Sequence, residues 1–151
     1  MQPIATNRQA RLKFEIFEKY EAGIVLRGSE VKSLREARIN LKDSFVRIVR
    51  GEPFLVNCHI SPYSHIQNIQ QADPTRLRKL LLKKGEIARL SGQIARKGYT
   101  IVPLSVYFKQ GLAKVEIAVA RGKREFDKRE TIRRRIAERE AERAMKHKRG
   151  K

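Results

Sequence analysis

Two periods alternate along the first third of the chain. From Lys13 to Leu26 aromatic and β-branched residues dominate, broken at Glu21-Ala22-Gly23. That predicts two short strands or one bent strand, with Gly23 at a bulge or close backbone approach. Beyond Gly28-Ser29 the spacing changes to three, with Val31, Leu34 and Ala37 following Ser29. A short helix capped by Ser29 is expected there.

Phe45 to Val49 and Phe54 to Ile60 are apolar runs flanking Arg50-Gly51-Glu52-Pro53, and read as an antiparallel hairpin. Asp73-Pro74 has the form of an N-cap followed by proline at the first helical position. Leu77, Leu80 and Leu81 then supply a stripe up to Lys83-Lys84-Gly85, which predicts a helix. Another helix is predicted on Ile87, Leu90 and Ile94, ending at Lys97-Gly98. Ser105 to Lys109 and Leu112 to Ala120 read as strands joined at Gln110-Gly111; in the second, Val115, Ile117 and Val119 alternate with Lys114, Glu116 and Ala118. The pattern predicts a mainly β fold with helices: a six-stranded antiparallel barrel of the oligonucleotide-binding (OB) type with three helices. Periodicity alone leaves an α+β sandwich open.

The last thirty residues follow neither period. Asp127 and Glu130 have capping-box spacing, and Glu130 with Arg134 and Glu142 with Lys146 are i,i+4 pairs. Such pairs contribute about 0.2–0.5 kcal/mol each. Beyond Ile132 and Ile136 there is little apolar surface to bury. The expected organisation is a barrel over 1-120 and a basic C-terminal tail over 121-151, the tail disordered in solution and helical once a polyanion neutralises it.

Charge narrows the function. The 151 residues carry 35 Lys and Arg against 16 Asp and Glu, a net +19. Residues 1–120 hold 21 basic and 10 acidic side chains, and 121–151 hold 14 and 6, so the excess covers both parts. A field of this size attracts polyanions without specifying them. Nucleic acid is the expected partner, ahead of an anionic membrane. The opening MQPIATNRQARLKF lacks the apolar h-region of a secretion signal, and no run approaches the roughly 18 apolar residues of a membrane span. A cytoplasmic protein is expected, and a single cysteine agrees with a reducing compartment.

Catalytic chemistry finds little support in the residues. Cys58, His59 and His65 lack zinc-site spacing, and Cys58 and His59 would point to opposite faces of a strand. Cys58 reads as core. Glu30, Asp43 and Asp73 are the carboxylates a Mg2+-dependent nuclease would need to gather, with nothing in their spacing to favour it. No enzyme, metal site or cofactor is expected. Arg76, Arg78, Lys79, Lys83 and Lys84 crowd one predicted helix and are candidate phosphate contacts, while Tyr20, Tyr63, Tyr99 and Tyr107 are candidate stacking rings.

Four stretches then carry a resemblance: EAGIVLRGSEVKSLR (Glu21 to Arg35), NLKDS (Asn40 to Ser44), DPTRLRKLLL (Asp73 to Leu82) and ARGKREFDKRE (Ala120 to Glu130). In this order and spacing the chain closely resembles the small protein B (SmpB) family of bacterial tmRNA-binding, or SsrA-binding, proteins. The resemblance implies the same barrel, three helices and tail, and a non-enzymatic role in trans-translation. It implies a monomer that binds the tRNA-like domain of tmRNA one to one, and that helps elongation factor Tu deliver alanyl-tmRNA to ribosomes stalled without a stop codon. Asn7, Glu21, Leu81 and Lys114 are implied tmRNA-binding positions, joined by Arg76, Arg78 and Lys79 as phosphate contacts. Glu21, being acidic, would orient a basic neighbour or accept from a base or 2′-OH; Leu81 could equally be core.

By the same resemblance, Gly122, Lys123, Phe126, Asp127, Lys128 and Arg129 belong to a tail that enters the decoding centre and the empty message channel of the small subunit, helical along 16S rRNA. Two positions depart from the family pattern. Phe126 stands where relatives often have His or Tyr, and Lys83 where His is frequent. Phe126 keeps a ring able to stack on a base, an interaction of about 1–3 kcal/mol. The charge alone would equally fit a general rRNA-binding protein.

Overall fold

Two tight turns fix the register of the sheet. Arg50 and Gly51 have φ of 52° and 76°, and Gln110 and Gly111 have φ of 52° and 78°. Positive φ at both central positions matches the right-handed twist of flanking strands, as type I′ hairpins require. In the computed structural model, which describes residues 2–62, 73–123 and 136–144, these turns join β4 (Phe45–Val49) to β5 (Glu52–Val56) and β8 (Tyr99–Lys109) to β9 (Leu112–Gly122). The remaining elements are β1 (Ala5–Thr6), α1 (Arg8–Lys13), β2 (Phe14–Ile24), α2 (Gly28–Arg35), β3 (Ile39–Asn40), β6 (His59–Ile60), β7 (Arg78–Leu81) and α3 (Lys84–Ile94).

The main sheet runs β1-β8-β4-β5-β7-β2-β9, and β8 also pairs with β9. That last pairing closes six strands into a ring, with β1 appended to β8 and β3 paired with β6 outside it. The mainly β architecture with helices is thus the one predicted from the sequence. Closure leaves the ring without a free edge.

Inside lie Tyr20, Ala22, Ile24, Val46, Leu55, Leu80, Ile101, Val106, Val115, Ile117 and Val119, joined by Leu34 of α2 and Leu90 of α3. A second cluster of Ala10, Val102, Leu104, Ala118 and Ala120, with Phe14 and Ile16, seats α1 on β8 and β9. Val115 to Ala120 therefore serve two cores, except for Glu116. Cys58 is fully buried while His59 is exposed. Burial pushes the Cys58 thiol up to about 11.

Three sequence expectations need correction. Residues 77–82 are not helical: β7 alternates Arg78 and Leu80 inward with Lys79 and Leu81 outward. Asp73 instead accepts the Thr75 N–H at 3.0 Å, an Asx turn in place of a helix cap. Second, Ser29 does not cap α2. Glu30 does so from the third position, its carboxylate accepting the Arg27 N–H at 2.8 Å. Third, the strand predicted from Ser105 begins at Tyr99, with an irregularity between Pro103 and Ser105 where the proline lacks its N–H. Helix α1 was not predicted; its cap, Asn7, accepts the Ala10 N–H at 3.1 Å.

The inward arginine of β7 is fully buried. Glu30 Oε2 meets Arg78 Nε at 2.8 Å, and the Arg78 guanidinium also donates to the carbonyls of Cys58 at 2.6 Å and Pro74 at 3.0 Å. Arg76 Nε donates to the same carboxylate at 3.0 Å, with its terminal nitrogen on Oε1. Burial alone would raise the Glu30 pKa; hydrogen bonds from Arg76, the Arg27 N–H and Arg78 outweigh it, so the net shift is downward from 4.5.

Chain contacts divide the protein into Met1–Arg121 and Gly122–Lys151. In the second unit residues 136–144 are helical and exposed. Tyr63, His65, Phe126, Asp127, Lys128 and Arg129 lie outside the described residues.

Removing the Glu30 carboxylate leaves a buried cation without its partner. Glu30→Ala is expected to cost about 3–5 kcal/mol in urea unfolding. Because the folded pKa is depressed, the carboxylate's contribution is complete above the ordinary value of 4.5 and declines as pH falls through the folded value. Glu30→Gln should flatten the stability profile in that acidic window.

Candidate nucleic-acid interface

On the face that β2, β9 and β8 turn away from the core, a row of side chains converges near the Gln110-Gly111 turn. Tyr107 and Lys114 are register partners on β8 and β9. Glu21, on the neighbouring strand β2, accepts the Tyr107 hydroxyl proton at 2.5 Å through Oε2 and Lys109 Nζ at 3.2 Å through Oε1. Hydrogen bonding from Tyr107 holds the Glu21 carboxyl below the ordinary carboxylate range, aided by the charges of Lys109 and Lys114. Burial, followed by the bond to Glu21, pushes the Tyr107 phenol up.

The row continues onto β7. Leu81 is the register partner of Gly23 and is 54 % exposed. A Cβ placed on Gly23 would lie 3.3 Å from the Leu81 Cβ, so the bare glycine lets the leucine approach β2 closely, and any side chain there would press on it. The outward neighbour Lys79 pairs with Glu52 at 3.5 Å. The result is an apolar spot beside a carboxylate, two ammonium groups and a phenol, all reachable from solvent. That combination offers an apolar contact, charged donors for phosphate and an acceptor for a base edge or 2′-OH.

Glu21, Lys79, Leu81 and Lys114 thus occur on outward positions of adjoining strands, and Leu81 is not core. Asn7, Arg76 and Arg78 do not join them. Asn7 is buried, its amide donating to the Pro103 carbonyl at 2.9 Å and the Leu41 carbonyl at 3.4 Å. Arg78 has no surface from which to meet a phosphate, so that expectation is corrected. Arg76 is mostly covered and committed to Glu30 and to the Leu77 carbonyl. The helix expected at 73–84 hid this, because a strand's period of two sends Arg78 inward when Lys79 points outward.

Lys109 and the bond between Tyr107 and Glu21 were missed. The signal was present: Tyr107 and Lys109 are two apart on a strand, hence on one face. Among the described residues no group of three or more His, Cys, Asp or Glu is placed to hold a metal ion. Two of the three carboxylates considered for a nuclease are engaged elsewhere, Glu30 in its arginine cluster and Asp73 in its turn.

The sequence model of the SmpB protein family matches residues 4–147. The chain belongs to the SmpB family. The SsrA-binding protein of Halothermothrix orenii is 54% identical over 143 residues, covering 95% of this chain and 92% of the relative. That of Sulfurihydrogenibium sp. is 57% identical over 145 residues, covering 96% and 95%. A chain in a solved structure described as "tmRNA-SmpB: a journey to the center of the bacterial ribosome" is 47% identical, with a TM-score of 0.70, covering 88% of this chain and 96% of that one. Family membership thus extends past the barrel into the tail, where Gly122 ends β9 and Lys123 is exposed.

The electrostatics of the row can be checked without any ligand. Tyr107→Phe removes the hydroxyl that does most to depress the Glu21 pKa. NMR titration of the Glu21 carboxyl should show an upward shift in the variant.

Proposed function

We propose that this protein binds the tRNA-like domain of tmRNA and acts in trans-translation, without itself catalysing a reaction. The observation that carries the reading is the match to SsrA-binding proteins over 95% or more of the chain. Its net charge of +19 supplies the long-range attraction a polyanionic partner requires.

In this reading Lys114 and Lys109 contact RNA phosphates, Leu81 packs on a sugar or base, and Glu21 holds Lys109 and Tyr107 in position. Lys79 is a peripheral phosphate contact. Asn7, Arg76 and Arg78 serve the same surface from beneath, by fixing α1, β7 and α2. The protein binds tmRNA one to one as a monomer, in the cytoplasm, and accompanies it with elongation factor Tu to stalled ribosomes.

The tail completes the proposed mechanism. Gly122, Lys123, Phe126, Asp127, Lys128 and Arg129 enter the decoding centre and the message channel of the small subunit, along 16S rRNA. There the tail takes the place of codon–anticodon pairing and missing message. The basic excess of residues 121–151 suits that environment.

Lys114→Gln is expected to weaken binding to the tRNA-like domain and to reduce the slope of log affinity against log salt by about 1. An unchanged slope would remove Lys114 from phosphate contact. A chain ending at Arg121 should still bind tmRNA yet fail to support peptide tagging on stalled ribosomes. Normal tagging by that shortened chain would refute the tail mechanism.

A further inference from the structure

Seven residues along β9 from Lys114, at the other end of the ladder with β8, a second group of side chains converges. Tyr99 and Arg121 are register partners there. By strand rise they lie about 24 Å from the Tyr107 and Lys114 pair. The Phe17 and Tyr99 rings stand 5.5 Å apart between centroids, tilted by 42°. The Arg121 guanidinium lies 5.8 Å from the Phe17 centroid and 5.6 Å from that of Tyr99. Glu15 Oε2 holds it from the side at 3.1 Å.

Tyr99 is anchored on two sides. It packs against the main core, and its N–H donates to the Arg96 carbonyl at 3.2 Å. Gly98, with φ of 88°, makes the turn out of the segment following α3. Phe17, by contrast, is 41 % exposed. Arg96 and Lys97, both exposed, precede Tyr99 by three and two residues. Arg121 Nε is buried and finds no hydrogen-bond acceptor among the described residues. The guanidinium is held by the Glu15 carboxylate and by the faces of the two rings.

We propose that Phe17, Tyr99 and Arg121 form a stacking platform for an unpaired nucleobase of RNA, with Arg96 and Lys97 taking the adjoining phosphates. The proposal rests on the reading of the chain as an RNA-binding protein and adds to it a site separate from the Glu21 and Lys114 row. An exposed ring backed by a second ring and a cation accepts any base face, because every base has one. The neighbouring positive charges favour a polyanion over an apolar protein segment. Selectivity at this platform is for a base that is unpaired, whatever its sequence.

The chain contains no tryptophan, so Phe17→Trp gives a single reporter. Its emission should be quenched by a short oligo(A) RNA and little affected by an abasic RNA of the same length. Phe17→Ala should lose about 5- to 150-fold in oligo(A) affinity, the range of one base stack, with its salt slope unchanged. Thermal melting of both variants checks the fold; should the alanine variant melt early, the tryptophan variant decides. Unchanged emission at saturating oligo(A), equal quenching by the abasic RNA, or quenching by a protein partner instead of RNA would overturn the platform. Binding of the wild-type chain to the tRNA-like domain, measured alongside, separates the two ideas: its absence would remove the proposed function, while quenching by oligo(A) would still report on the platform.

Discussion

Arg78 carries a full positive charge into the interior, and much of the fold is arranged to meet it. Its partners come from distant parts of the chain: Glu30 from α2, the Cys58 carbonyl before β6 and the Pro74 carbonyl before β7. Burying an ion without such partners would cost several kcal/mol. The cluster therefore ties one helix, two loops and one strand of the ring to a single geometry. With Arg78 pointing inward, the alternation of a strand obliges Lys79 and Leu81 to point outward. The interior charge and the outer surface of β7 are two sides of the same constraint.

Closure of the ring has a similar consequence for β2, β9 and β8. Their inner positions are filled by apolar residues, and beyond the stretch that α1 covers the alternate positions near the Gln110-Gly111 turn are left for polar ones. Glu21 reaches Tyr107 and Lys109 because β9 lies between β2 and β8, and because the Gln110-Gly111 turn sets the register. The proposed RNA contacts thus stand on rigid strands instead of mobile loops. Asn7 belongs to this support: it caps α1 and binds the strand carbonyl of Pro103. A residue implied by resemblance to touch RNA is placed where it shapes the scaffold.

The sequence made the hairpins legible through Arg50-Gly51 and Gln110-Gly111, and the strand β9 through its alternation. It also revealed α2, and α3 from its apolar spacing. It misled at 73–84, where the stripe of Leu77, Leu80 and Leu81 suits a helix and where proline after aspartate imitates a helix start. A buried ion pair between residues 48 apart decided that segment, and no local pattern encodes such a pairing. Pro103 concealed the first half of β8 in the same manner, since a bulge removes the objection to proline within a strand. The candidate site was half legible: Glu21, Leu81 and Lys114 came from the resemblance, whereas Lys109 needed the register of β8 on β9 to bring it to Glu21.

The central claim is that the outer face near the Gln110-Gly111 turn receives the tRNA-like domain of tmRNA. Lysine acetylation footprinting of the full chain, read by mass spectrometry with and without that RNA, tests it most directly. Lys109 and Lys114 should be modified freely in the protein alone and protected at saturating RNA. Full modification of both lysines in the bound state would contradict the account.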